Sequence, residues 1–99
     1  MTLVIYLRDL TNNRTKFLVK VKKESDKESD EEYLEDEEIA ELLREFVEKA
    51  KAKLPIKSKK VDVWIGMWTM DSQLTIEFPP EFMKLVSQNG WPVTFDLND

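Results

Sequence analysis

Cysteine and histidine are both absent from this chain of 99 residues. Without cysteine there is no disulfide, no thiolate metal site and no thiol nucleophile. Without histidine the chain lacks the commonest general base and the commonest protein ligand of transition metals. Glycine is scarce as well, since it occurs only at Gly66 and Gly90, so the glycine-rich loops that hold nucleotide phosphates are missing. The sequence therefore predicts a protein that is not an enzyme and has no catalytic residues, no metal site and no cofactor.

Long apolar runs are also missing. No stretch approaches the ~20 apolar residues that a membrane-spanning helix needs, and the first residues lack the basic segment that opens a signal peptide. Hydrophobic residues make up 41% of the chain, which is enough for one modest core. We therefore expect a single α+β domain over residues 1–99, located in the cytoplasm and not in contact with a membrane.

Charge is unevenly distributed along the chain, whose net charge is −5. Residues 24–43 hold eleven acids and a single base, Lys27. Blocks of like charge are most often solvated or disordered faces, whereas an ordered acidic surface would steer association with a basic protein. The same charge argues against nucleic acid as a partner, because phosphate binding depends on lysine and arginine.

The acidic block begins with a tandem repeat, KESDKESD, at residues 23–30. It has no apolar side chain to offset an ordering entropy of about 1–2 kcal/mol per residue. A flexible acidic loop is therefore predicted at about residues 23–35. A calcium loop of the EF-hand type requires glycine at its sixth position, which is Glu31 here, so the spacing of these acids does not predict a dedicated metal site.

Hydrophobic periodicity predicts seven secondary-structure elements. Alternation with a period of two indicates strands at residues 2–8, 15–22, 61–69, 73–78 and 92–97. In the second strand this pattern directs Phe17, Val19 and Val21 inward. Apolar residues at helical spacing indicate a long helix over residues 36–54 and a short helix between Pro79 and Gly90.

This order, β-β-α-β-β-α-β, matches from its second strand onward the split βαβ of a ferredoxin-like sandwich. The first strand then becomes an extra strand at the N-terminal edge of the sheet. Two helices would cover one face of a mostly antiparallel sheet and leave the other face open. The predicted fold class is thus an open-faced, two-layer α+β sandwich.

Residues 36–98 resemble the closing portion of a bacterial domain family of unknown function. The shared pattern is a strand, a short helix introduced by an acid, a break, and a last strand with an aspartate between apolar residues. The matching residues here are Leu74, Ile76, Glu81, Leu85, Val86, Gly90, Val93, Phe95 and Asp96. The acidic repeat and the shorter first part depart from the family pattern. The resemblance implies a context of small immunity or defence proteins and supplies no catalytic residue.

Aromatic residues of the strands are candidates for a binding surface. Trp64 and Trp68 flank Gly66 on one face of a strand, and Tyr6 belongs to a second strand. Tryptophan and tyrosine are enriched at the centres of protein interfaces. Burial beneath a helix would explain the two tryptophans equally well, because the sequence does not fix which face of the sheet is covered.

Aromatic and acidic side chains together form the predicted partner-binding set, which comprises Tyr6, Trp64, Trp68, Glu31, Glu32, Glu35 and Asp36. The hypothesis drawn from this set is a small acidic protein-binding module, of the inhibitor or immunity type, that engages a basic protein. The alternative hypothesis is an assembly module that forms a homodimer through the open face of its sheet.

Overall fold

The computed structural model describes residues 1–25, 34–69 and 75–98. The strands are β1 (Thr2–Asp9), β2 (Lys16–Glu24), β3 (Val61–Trp68) and β4 (Val93–Asn98), and the helices are α1 (Asp36–Ala52) and α2 (Pro80–Asn89). These bounds confirm four of the five predicted strands and both predicted helices. Most of the predicted acidic loop, residues 26–33, lies outside the described residues.

The four strands form one mixed sheet in the order β2-β1-β3-β4. β1 is antiparallel to both of its neighbours, and β4 is parallel to β3. The prediction that the first strand lies at an edge is therefore wrong. β1 suits a central position because it is apolar on both faces, with Ile5 buried on one side and Val4 on the other.

The strand predicted at residues 73–78 is a second correction. Thr75, Ile76, Glu77 and Phe78 have no strand pairing, and residues 73 and 74 lie outside the described residues. Two prolines follow this segment, and proline lacks the N–H that a sheet ladder needs. Ile76 and Phe78 pack against the core as irregular chain. The structure thus confirms a two-layer α+β sandwich but not the seven-element ferredoxin-like order.

Helix α1 begins with a reciprocal capping box. Glu35 is the N-cap residue, its side chain accepts from the backbone N–H of Glu38, and its own N–H donates to Oε2 of Glu38 at 3.0 Å. This arrangement satisfies two backbone donors that a helix start leaves free. The apolar stripe of α1 is buried and comprises Ile39, Leu42, Leu43, Phe46, Val47 and Ala50.

Helix α2 starts and ends where its sequence signals predict. Pro80 occupies the first turn, where a missing N–H has no consequence. Gly90 ends the helix in the left-handed conformation, with φ at 65°, which glycine adopts without steric penalty. The two helices pack on each other through Phe46 and Phe82, whose ring centroids are 5.8 Å apart.

The core lies between the helices and one face of the sheet. Leu3, Ile5 and Leu7 of β1 and Val63 and Ile65 of β3 form one buried cluster with the helix stripes. The alternate residues of the same strands, among them Tyr6 of β1 and Trp64 of β3, point to the opposite face, which we call the open face. Within the part of the chain that the structure describes, no helix is long and apolar enough to cross a membrane.

Candidate functional site

The open face carries the three aromatic residues predicted for partner binding. Tyr6 of β1 is paired with Trp64 of β3, and Thr2 of β1 is paired with Trp68. Side chains of paired residues project from the same face of an antiparallel ladder. Tyr6, Trp64 and Trp68 therefore lie together, and neither of the two helices that the structure describes covers a tryptophan.

These side chains form a connected aromatic cluster. The rings of Tyr6 and Trp64 are stacked with centroids 5.5 Å apart. Trp68 meets Trp64 edge-on at 6.2 Å, and Phe17 meets Tyr6 edge-on at 5.0 Å. Tyr6 and Trp64 are half-buried, whereas Trp68 is 41% exposed. Offset stacks and edge contacts of this kind favour a defined ring geometry, so the cluster is fixed at its centre and accessible at its ends.

Gly66 allows the indole of Trp64 to lie flat along the sheet. A β-carbon at Gly66 would be 2.5 Å from Cζ3 of Trp64 and closer still to Cη2. Any other residue would therefore displace the indole. The glycine that the sequence places between the two tryptophans is the surface on which one of them rests.

Phe17 is the aromatic residue that sequence analysis assigned to the wrong face. A β-bulge breaks the register, since Leu7 pairs with Val19 while Arg8 pairs with Phe17. The extra residue, Leu18, reverses the alternation, so Phe17 joins the open face and Val19 stays in the core. No sequence signal identifies this bulge, because the alternation of β2 reads through it without interruption.

An ion pair between Arg8 and Asp62 borders the cluster at its Phe17 end. The guanidinium donates from Nε to Oδ1 at 2.8 Å and from the terminal nitrogen to Oδ2 at 2.6 Å. The carboxylate keeps the pKa of Arg8 above its ordinary value, chiefly through this hydrogen bonding. The guanidinium also lies 5.8 Å from the Trp64 ring centroid. The ion pair thus supports the indole of Trp64 from one side. The sequence alone does not predict this role, because the pairing of Arg8 with Asp62 depends on the register between β1 and β3.

The charges of the open face balance. The strand residues that project from this surface include three bases and three acids, namely Arg8, Lys20, Lys22, Glu24, Asp62 and Asp96. Lys22 is bonded to Glu24 at 2.7 Å, and the pKa of Lys22 is raised by that hydrogen bond. Lys20 lies 4.7 Å from the ring centroid of Phe17. Among the residues that the structure describes, the face is therefore aromatic at its centre and carries no net charge.

The predicted acidic residues lie apart from this face. Glu31 and Glu32 fall outside the described residues, and Glu35 and Asp36 are at the start of α1, in the helix layer. Glu35 serves as the helix cap. Asp36 lines a groove of about 680 Å³ that α1 forms with residues 75–80. The structure thus brings the aromatic members of the predicted set together and does not join the described acidic members to them.

A second polar cluster closes the far end of β1. Oδ1 of Asp9 accepts from Oγ of Ser58 at 2.6 Å and from the N–H of Thr11 at 3.0 Å. These hydrogen bonds, that of Ser58 first, hold the pKa of Asp9 below its ordinary value. They connect the turn after β1 to the chain that leads into β3, so the function of the cluster is structural.

Metal binding has no visible basis in residues 1–25, 34–69 and 75–98, where no three acidic side chains are grouped closely enough to hold an ion.

Comparison with protein-family models, with curated proteins and with solved structures gives no match to this chain.

Proposed function

We propose that the chain is a small protein-binding module that contacts its partner through the open face of the sheet. The observation that carries the proposal is the aromatic cluster of Tyr6, Trp64, Trp68 and Phe17, with Trp68 41% exposed at one end. Exposed apolar patches of this kind mark interaction sites. Tryptophan and tyrosine also supply much of the binding energy of protein interfaces.

The cluster is organised before any partner arrives. Trp64 is held between the stack with Tyr6, the flat surface of Gly66 and the guanidinium of Arg8. Immobilising a free side chain on binding costs roughly 0.5–1.5 kcal/mol. Because Tyr6 and Trp64 are already fixed, that cost falls mainly on Trp68.

Balanced charge on the open face indicates how such a partner is held. Contacts to Trp68 and Phe17 are apolar, and salt screens only interactions between charges. We therefore expect binding through this face to survive high ionic strength. The partner surface that fits is an apolar patch with few charges.

A basic partner is the second candidate, in keeping with an inhibitor or immunity-type protein. It is supported by the exposed acids Asp36, Glu37 and Glu41 at the start of α1. Because these acids lie in the helix layer, a basic protein could bind them without touching Trp68. Such binding would weaken as salt increases.

Affinity capture with three variants separates the two candidates. The bait carries Trp68→Ala, the acidic pair Asp36→Lys/Glu37→Lys, or the control Met83→Ala, whose methionine is 51% exposed in the helix layer. Glu35 is left intact because it caps α1. Each bait is first checked for folding by circular dichroism. Proteins are then captured from a lysate of the source cells at low and high salt, and affinities are measured with the purified partner.

The open-face proposal expects one protein that is retained at high salt, lost with Trp68→Ala and kept by both other baits. Loss at high salt and with the acidic pair, but not with Trp68→Ala, would instead select the second candidate. A protein that binds all three variants equally would contradict both.

A further inference from the structure

β4 is an edge strand that exposes apolar side chains on the same face of the sheet as Val63 and Ile65. Val93, Phe95 and Leu97 are 41%, 44% and 52% exposed, and no strand that the structure describes lies beyond β4. The opposite edge of the sheet is β2, which carries four lysines: Lys16, Lys20, Lys22 and Lys23. Lysines on an edge strand discourage its pairing with another chain.

The backbone of β4 directs its hydrogen-bonding groups outward at the same three residues. The N–H of Val63 donates to the carbonyl of Pro92 at 2.9 Å, and the N–H of Thr69 donates to the carbonyl of Asn98 at 3.0 Å. In a ladder, alternate residues of a strand face the same neighbour. Residues 92, 94, 96 and 98 therefore face β3, and the N–H and C=O groups of residues 93, 95 and 97 point to the free edge.

We infer that β4 pairs antiparallel with β4 of a second copy of this chain, around a two-fold axis at Phe95. In this register Phe95 faces Phe95 of the second copy, and Val93 faces Leu97. On the other side of the strand, Thr94 faces Asp96. Every outward backbone group of the three edge residues then has a partner, and apolar side chains meet apolar side chains.

Charge disfavours one neighbouring register, and the length of β4 disfavours the other. Centring the pair on Asp96 would place two aspartates opposite each other, which is destabilising. Centring it on Thr94 would pair only residues 93–95 within β4 and would place Leu97 opposite Trp91, which precedes the strand. A two-fold interface requires a surface that complements itself, and the sequence Val93-Thr94-Phe95-Asp96-Leu97 does so about its middle residue.

The dimer would join two four-stranded sheets into one continuous sheet. Because the two-fold axis is perpendicular to the sheet, both open faces lie on the same side. This interface uses the edge of β4 and not the aromatic cluster, so the inference does not rest on the proposed function.

Sedimentation equilibrium over a range of concentrations tests the pairing. We expect the mass to rise from 11.7 kDa towards twice that value. Phe95→Lys places two like charges opposite each other at the axis and should weaken dimerisation by at least about tenfold. The matched control is Trp68→Lys, because Trp68 has a similar exposure, 41% against 44%, but lies on the open face. It should leave the dimer intact.

A measurement on the unmodified chain keeps the test valid if Phe95→Lys fails to fold. The amide hydrogens of Val93, Phe95 and Leu97 should exchange more slowly as concentration rises, whereas those of Thr94 and Asp96 should be protected throughout. A chain that stays at monomer mass up to about 1 mM would overturn the inference. Dissociation by Trp68→Lys but not by Phe95→Lys would overturn it too, as would exchange at the three edge amides that is independent of concentration.

Discussion

The contact between Gly66 and Trp64 gives the sharpest prediction about the open face. In Gly66→Ala the new β-carbon would lie 2.5 Å from Cζ3 of the indole, well inside the 3.5–4.0 Å of a favourable carbon contact. The backbone of β3 is fixed between β1 and β4. The indole must therefore move away, and it leaves its stack with Tyr6 and its contact with Arg8.

The size of the effect follows from the contacts that are lost. An aromatic stack contributes about 0.5–1.5 kcal/mol, and a guanidinium over an indole contributes about 0.5–1 kcal/mol. In the other direction, replacing glycine by alanine within a strand recovers about 0.5–1 kcal/mol of chain entropy. We expect Gly66→Ala to lower the free energy of unfolding by about 1 kcal/mol, which is roughly 4–8 °C in Tm for a domain of this size.

A double-mutant cycle with Trp64→Ala isolates the contact. Once the indole is gone, Gly66→Ala has nothing to displace and should be neutral or stabilising by up to about 1 kcal/mol. The coupling between the two positions should thus approach about 2 kcal/mol. Urea unfolding followed by far-ultraviolet circular dichroism is suitable, because it does not depend on tryptophan fluorescence. Protein concentration is held constant, since self-association would add to apparent stability.

Additive effects in this cycle would refute the argument. If Gly66→Ala lowered stability equally with and without the indole, the cost would come from the backbone and not from the ring. If it stabilised the chain with Trp64 present, the indole would not rest on Gly66, and the fixed geometry claimed for the cluster would be wrong.

Two further predictions concern the polar groups of β1. Asp62→Ala leaves the guanidinium of Arg8, which is only 23% exposed, without its partner. It should lower the free energy of unfolding in urea by about 3 kcal/mol, while the double variant Arg8→Met/Asp62→Leu should lower it less. A loss below about 1 kcal/mol for Asp62→Ala would show that the pair behaves like an exposed ion pair. Ser58→Ala removes the main hydrogen bond that lowers the pKa of Asp9. The Asp9 carboxyl should therefore titrate at a higher pH, measured by NMR, than in the unsubstituted chain or in the control Ser87→Ala, whose serine is exposed on α2. Because the folded-state pKa of Asp9 lies below its unfolded value, the contribution of Asp9 to stability is present above the unfolded pKa and is lost as the pH falls through the folded pKa. In Ser58→Ala this part of the acid dependence of stability should shrink. An unchanged titration of Asp9 would contradict the role given to Ser58.

Local pattern was sufficient for most of the secondary structure. β1 and β3 alternate, the apolar stripe of α1 recurs at helical spacing, and Gly90 ends α2, so each of these elements has its cause within a few neighbouring residues. The segment at 75–78 alternates as well, but alternation only permits a strand. Strand pairing needs an adjacent strand with an unpaired edge and backbone N–H groups that can donate to it. The two prolines that follow this segment reduce the number of such N–H groups.

The candidate site was predicted in part, for the same reason. Alternation alone places Trp64 and Trp68 on one face, and the sequence therefore identifies them together. The stack with Tyr6 and the ion pair between Arg8 and Asp62 depend on the register between strands. Phe17 depends on a bulge that the hydrophobic pattern does not record. Contacts between strands that are distant in the chain are set by pairing, which composition and period do not specify.

The separation of acidic and aromatic residues follows from how α1 packs. Its apolar stripe must face the buried side of the sheet, against residues such as Leu3 and Ile5. The first turn of the same helix is acidic, which complements the positive end of the helix dipole. The packing of the apolar stripe of α1 therefore places Asp36 in the helix layer. This placement does not depend on which side chains the strands present on the open face. Charge and aromatic surface can then be altered independently, which is why Trp68→Ala and Asp36→Lys/Glu37→Lys test different modes of binding.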